Sequence, residues 1–176
     1  ISPLGFDPTI VQLTAVHFHY AGALLPLLLI PALREIPGPL PKLALHAALL
    51  GVPAVAAGIT ATKLNFGATF ELAASGFMTV AGCLAATVFI RMAARFAPIN
   101  RTATLLFILA SVSLAFGMGF ALLYASRWLL AKPVIDIPMM RITHGVLNSL
   151  GFSGCALLAW GAASRATANG SSPQSS

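Results

Sequence analysis

Five long apolar stretches constrain this chain more than any other feature of its sequence. A helix needs about 20 residues to cross the ~30 Å hydrocarbon layer of a bilayer. The stretches of that length lie near residues 11–33, 43–62, 68–90, 102–125 and 138–161. We therefore expect an all-α protein, a polytopic integral membrane helical bundle with about five transmembrane helices.

The scarcity of charge supports a membrane protein over a soluble one. Charged residues make up only 8% of the chain, whereas soluble domains carry about 25%. The formal net charge of +6 does not indicate a nucleic-acid binder, because the basic residues lie scattered at the ends of the apolar stretches and form no patch. We expect the lipid bilayer as a partner, and no nucleic acid.

The segments between the apolar stretches have the composition of turns. Three prolines fall between Arg34 and Pro41, where each removes a backbone donor and fixes φ. Residues 1–165 are therefore expected to form a single transmembrane domain, and the Ser- and Gly-rich residues 166–176 a disordered polar tail. No basic residues precede the first apolar stretch, so we expect no cleavable signal there.

Lysine and arginine are divided unequally between the two ends of the predicted bundle. One end holds Arg34, Lys42, Arg91, Arg95, Arg101 and Arg165. The other end holds Lys63, Arg127, Lys132 and Arg141. Because cytoplasmic loops carry an excess of basic residues, we expect a multi-pass protein with its N-terminus outside and its C-terminus in the cytoplasm.

A few ionisable residues lie inside the apolar stretches, where they are costly unless they pair or are hydrated. Those in one leaflet are His17, His19, Glu71 and His144, joined by the amide of Asn148. From the helical rise, the histidines of the first helix lie roughly 9 to 12 Å from its end, and Glu71 about 5 Å. His144 and Asn148 lie about 9 and 15 Å from the same end of the bundle. We expect these five residues to form one intramembrane site and to be its catalytic residues.

Four further polar residues lie beside this cluster and are expected to contact a substrate. They are Tyr20, Asn65, Tyr124 and Arg141. His144 and Asn148 are four residues apart and therefore share a helix face. Residues i and i+2 lie about 200° apart on an α-helix. His17 and His19 are thus not expected to face one pocket together.

The cluster has three interpretations, and the residues alone leave all of them open. In the first, a histidine accepts a proton, Glu71 is the acid or an orienting group, and Asn148 positions an oxygen, for acid–base chemistry on, or transport of, a lipophilic small molecule. In the second, the histidines bind a haem or another tetrapyrrole pigment. In the third, the chain is a non-catalytic membrane subunit of a larger complex, and its polar residues bind a partner helix. No His pair at i, i+4 and no C-x-x-C-H motif is present, so no protein-bound metal ion is expected.

Two motifs resemble the YndJ-like family of bacterial membrane proteins. One is TAVHFHYAG at residues 14–22, preceded by PLGF, and the other is RITHGVLN at residues 141–148, followed by Gly151 and Phe152. The resemblance implies a polytopic protein of the bacterial inner (cytoplasmic) membrane and carries no established mechanism. Such proteins usually have further transmembrane helices before the first motif. Because this chain begins at Ile1, we expect a shorter relative, a processed chain or one part of a complex.

Overall fold

Five membrane-length helices make up the fold. The computed structural model describes residues 5–170, with side chains up to residue 167, and this range contains helices and no β-strand. The helices that are long and apolar enough to cross a membrane are α1 (Pro8–Glu35), α2 (Leu40–Lys63), α3 (Thr69–Phe96), α4 (Arg101–Trp128) and α5 (Ile137–Thr167). The prediction of an all-α bundle with about five transmembrane helices is confirmed.

Two helices run further than the apolar stretches indicated. Helix α3 continues to Phe96 because arginine is a good helix former and can extend a helix beyond the hydrocarbon layer. The last α-helical segment of α5 runs from Cys155 to Gly170, so residues 166–170, expected to be disordered tail, are helical. The remainder of that tail, residues 171–176, lies outside the described residues.

Successive helices run in opposite directions and define two ends of the bundle. The Lys63 end is formed by Pro8, Lys63, Thr69, Trp128 and Ile137. The Glu35 end is formed by Glu35, Leu40, Phe96 and Arg101. An ion pair with 3.8 Å between Nε of Arg95 and Oε2 of Glu35 joins α3 to α1 at the Glu35 end.

The apolar core lies mainly towards the Glu35 end. Phe89 and Phe107 are fully buried there, with ring centroids 6.1 Å apart, and Trp160 packs edge-on against Phe107 at 5.2 Å. By contrast, no residue is buried in the first two segments of α1, Pro8–His17 and Phe18–Leu24. The half of the bundle towards the Lys63 end is therefore loosely packed around α1.

Glycines bring the three central helices close together. A Cβ atom added at Gly51 of α2 would lie 2.5 Å from Sδ of Met78 on α3, and one at Gly82 would overlap the side chain of Met118 on α4. Small residues are the usual means of close helix packing in membranes, where there is little hydrophobic drive between helices. These contacts fix α2, α3 and α4 as the rigid frame against which α1 and α5 pack.

A hydrogen bond joins α1 to α5 towards the Glu35 end. The indole Nε1 of Trp160 donates to the carbonyl oxygen of Leu28 at 3.0 Å.

Helix α1 is interrupted just after Leu28, between its segments ending at Leu29 and beginning at Ala32. Pro31 explains the break, because proline has no N–H to continue the ladder.

Helices α1 and α5 each contain π-helical turns, and these coincide with the two sequence motifs. In α1 the π segment is Phe18–Leu24, after which the N–H of Leu25 donates to the carbonyl of Tyr20. In α5 the π segments are Arg141–Gly145 and Leu147–Gly154. Such turns are rare and are often found at functional sites.

Candidate functional site

The two motifs meet through a pair of histidine rings in the loosely packed half of the bundle. The imidazoles of His17 on α1 and His144 on α5 are stacked, with centroids 6.4 Å apart and planes 19° from parallel. Both side chains are half-buried. We call His17, His144, Asn148 and the backbone of Gly117 the histidine site.

Helix α4 fixes the proton of His144. Nδ1 of His144 lies 2.8 Å from the carbonyl oxygen of Gly117, and a carbonyl can only accept a hydrogen bond, so Nδ1 carries the hydrogen. Nε2 then keeps a lone pair. The amide nitrogen of Asn148 lies 3.0 Å from Nδ1 and 3.2 Å from Nε2 of this ring; because Nδ1 carries the hydrogen, Nε2 is the one of the two that can accept from it. Both ring nitrogens of His144 therefore lie within hydrogen-bonding distance of protein groups.

Gly117 leaves the space that Asn148 occupies. A Cβ atom at this position would lie 2.8 Å from Oδ1 and 2.9 Å from Nδ2 of Asn148, closer than a real Cβ approaches either atom. Gly151 on α5 plays a similar part against Ser113 of α4, where a Cβ would lie 2.5 Å from Oγ. Helices α4 and α5 thus approach closely at the level of the histidine site.

Two polar atoms of the site are buried without a hydrogen-bond partner among the residues that the structure describes. They are Nε2 of His17 and Oδ1 of Asn148. Leaving a buried donor or acceptor unpaired costs about 1–3 kcal/mol, so buried polar atoms are nearly always paired. The histidine site thus contains one buried nitrogen and one buried oxygen that no described residue pairs.

His19 and Tyr20, which the sequence placed with this cluster, face outwards. His19 is exposed, and its Nδ1 bonds to the carbonyl oxygen of Ala15 on its own helix at 2.7 Å. Tyr20 is 40% exposed. Of the two histidines in the first motif, the structure brings only His17 against His144.

Glu71 belongs to a separate cluster near the Lys63 end. It is only 6% exposed, and its Oε1 lies 2.5 Å from Nη2 of Arg127. Its Oε2 accepts a hydrogen bond from Nε1 of Trp128 at 3.2 Å. The Arg127 guanidinium also lies 4.0 Å from the ring centre of Tyr124. Glu71, Tyr124, Arg127 and Trp128 form what we call the Glu71 cluster, in which both carboxylate oxygens already accept hydrogen bonds.

The remaining two predicted substrate contacts lie on the surface. Arg141 is exposed on α5. Asn65 is exposed in the turn after α2, with a φ of 65°, a left-handed conformation that asparagine tolerates better than most residues. Asn65 lines an open groove together with Glu71 and Trp128, so it adjoins the Glu71 cluster.

Sequence reasoning missed three residues of these clusters, namely Gly117, Arg127 and Trp128. Only Arg127 had a usable signal. A buried carboxylate in a membrane needs a cation, and Arg127 is a basic residue that ends its helix on the same side as Glu71. Gly117 had no signal in the sequence, because its role depends on the side chain of Asn148 that packs against it in the fold.

The described residues contain no group of three or more His, Cys, Asp or Glu side chains that could hold a metal ion. The side chains of the histidine site are two imidazoles and an amide. His17 can accept or donate a proton at Nε2, and Asn148 can accept a hydrogen bond at Oδ1.

Comparison with known proteins gives one match. The sequence model of the family described as YndJ-like protein matches residues 2–152, a range that contains both motifs and the whole histidine site. The expected resemblance is confirmed. No curated protein and no solved structure matches the chain.

Proposed function

The chain belongs to the YndJ-like family, and we propose that it binds the polar head of a lipophilic small molecule at the histidine site, for acid–base chemistry or transport. The two buried, unpaired atoms, Nε2 of His17 and Oδ1 of Asn148, carry this proposal. A hydroxyl or an amine on the ligand would donate to Oδ1 and bond to Nε2. Both atoms would then regain the partners that buried polar atoms need.

Proton exchange with His17 is the chemistry that we propose for the bound head. A proton on the ligand can pass to Nε2 of His17 whenever that nitrogen carries a lone pair. The Gly117 carbonyl and Asn148 hold His144 in one tautomer, so we assign His144 the orienting role. Glu71 is excluded from this step because both its oxygens are used by Arg127 and Trp128.

Access from the bilayer is the second element of the proposal. No residue is buried in the α1 segments Pro8–His17 and Phe18–Leu24, and Val16 and Phe18 are exposed. We propose that a lipophilic molecule reaches the histidine site sideways from the lipid, past this weakly buried part of α1.

The same loose packing favours a second candidate function. If the chain is a non-catalytic subunit, a helix of a partner protein covers the outward face of Pro8–Leu24 and supplies the polar group that bonds to His17 and Asn148. The two candidates differ in whether the occupant is a small molecule or a polypeptide.

The test is the chemical content of the purified protein. The chain, His17→Leu and Asn148→Leu are purified in a mild detergent, with His19→Leu as the matched control because His19 is exposed on the same helix. Mass spectrometry of organic extracts is expected to find a lipophilic species with the unmodified chain and His19→Leu that is depleted in the two site variants.

Two other outcomes would count against ligand binding. A polypeptide that co-purifies with the chain and is lost in His17→Leu and Asn148→Leu would favour the subunit function. Identical extracts and identical partners for all four proteins would overturn both candidates, and the histidine site would then serve only helix packing.

A further inference from the structure

An open groove of about 470 Å³ lies at the Lys63 end, apart from the histidine site. Its lining comes from the start of α1 and the residues just before it, the end of α2 with the following turn, the start of α3 and the end of α4. The lining residues are Phe6, Asp7, Ile10, Ile59, Thr62, Lys63, Asn65, Glu71 and Trp128. We call it the interfacial groove.

Among the described residues, the groove carries one charge of each sign that has no ion-pair partner. Glu71 is neutralised by Arg127, which leaves Lys63 and Asp7. Among the described residues, the ammonium of Lys63 has no ion pair and lies 5.8 Å from the ring centre of Phe6. Oδ1 of Asp7 accepts a hydrogen bond from the N–H of Thr9 at 2.8 Å, and its second oxygen has no protein partner among those residues.

The other groove residues provide an apolar wall and neutral polar groups. Ile10 and Ile59 are partly exposed, and Trp128, 48% exposed, lies where tryptophan is enriched in membrane proteins, at the level of the lipid headgroups. The exposed Asn65 adds an amide beside Lys63. The groove therefore joins a charged rim to an apolar wall, which is the profile of an amphiphile.

We propose that the interfacial groove binds a phospholipid with a phosphoethanolamine headgroup. Lys63 and Asn65 contact the phosphate, Asp7 accepts a hydrogen bond from the ammonium, and Ile10, Ile59 and Trp128 pack against the glycerol and upper acyl chain. A purely anionic headgroup would leave Asp7 next to the phosphate with no cation to offset it. A choline headgroup has no N–H to donate to Asp7.

Native mass spectrometry of the full chain in detergent tests the proposal. Dioleoyl phosphatidylethanolamine, phosphatidylglycerol and phosphatidylcholine are titrated separately. The first is expected to bind more tightly than the other two. Lys63→Gln is expected to weaken its binding about tenfold, the effect of losing one charge-assisted hydrogen bond. The matched control is Lys132→Gln, because Lys132 lies at the same end of the bundle and does not line the groove.

Asp7→Asn provides a readout that a loss of folding cannot imitate. The substitution removes the negative charge from the rim, so the lipid preference of the variant should shift from phosphatidylethanolamine towards phosphatidylglycerol.

Equal binding of the three lipids by the unmodified chain, or equal effects of Lys63→Gln and Lys132→Gln, would overturn the proposal. So would full displacement of the lipid by water-soluble glycerophosphoethanolamine at the same concentration, which would indicate a site for the free headgroup. Because no histidine-site residue lines the groove, failure here leaves the proposed function untouched.

Discussion

Asn148 joins α5 to α4 at the histidine site because its amide contacts the ring of His144 and packs against the backbone of Gly117. It lies one turn from His144 on α5 and against Gly117 of α4, where a Cβ would come within 2.8 Å of its Oδ1. The same oxygen is one of the two unpaired atoms. The position of a single side chain therefore sets both the shape of the site and its hydrogen-bonding capacity.

Gly117→Ala is expected to displace the Asn148 amide and to lower stability by about 1–3 kcal/mol, the usual cost of overpacking. Thermal unfolding in detergent measures the stability, and mass spectrometry of organic extracts of the purified protein measures the loss of the bound lipophilic species. Gly119→Ala is the matched control, since a Cβ there meets nothing within 4 Å. Its expected effect is neutral to slightly stabilising, because alanine is the better helix former. Equal destabilisation by both substitutions would contradict the packing that we describe.

At the scale of the elements, the Glu71–Arg127 pair joins α3 to α4 where the apolar core has ended. The side chains of Glu71 and Arg127 are 7% and 19% exposed, whereas those of Glu35 and Arg95, at the opposite end, are 34% and 54% exposed. Breaking a buried pair leaves a charge without compensation, while an exposed pair contributes little. Removing one partner of the ion pair is therefore expected to cost more stability at the Lys63 end than at the Glu35 end.

Arg127→Leu is expected to lower the free energy of unfolding by about 3–5 kcal/mol because it leaves the Glu71 carboxylate buried and unpaired. Arg95→Leu, the matched control at the exposed pair, is expected to cost about 1 kcal/mol or less. The double variant Glu71→Leu with Arg127→Leu should recover much of the lost stability. Chemical denaturation in detergent measures all three. A double variant no more stable than Arg127→Leu would argue against a direct pair.

The sequence predicts the helices well, but for the sites it predicts only the depth of each residue in the membrane and not its contacts. Apolar length is a one-dimensional signal, so it was enough to define five helices. Depth along a helix placed Glu71 near His144, but depth does not give the direction in which a side chain points. In the structure Glu71 turns to Arg127. The π turns of Phe18–Leu24 and Leu147–Gly154 were also beyond reach, because angles computed at 3.6 residues per turn assume a uniform α-helix.

For the molecule as a whole, we propose an orientation in the membrane from the distribution of its basic residues. The excess of lysine and arginine at the Glu35 end favours that end in the cytoplasm of a bacterial inner membrane. The five helices that could span the membrane then leave the two ends of the described chain on opposite sides.

Cysteine labelling of intact cells tests this orientation. Cys83 and Cys155 are replaced by serine, and single cysteines are introduced as Lys132→Cys at the Lys63 end or Arg101→Cys at the Glu35 end. A membrane-impermeant maleimide is expected to label Lys132→Cys in intact cells and Arg101→Cys only after lysis. The reverse pattern would invert the orientation, and labelling of both in intact cells would contradict an odd number of spans between them.

The absence of buried residues between Pro8 and Leu24 means that acyl chains can contact α1 at the level of the histidine site. At this level the lipid would pack directly against the helix that carries His17. Chain length and unsaturation would then affect the packing of α1 and the local dielectric around the two imidazoles. In the other leaflet, where Phe89 and Phe107 close the core, the same changes would reach only the outer surface.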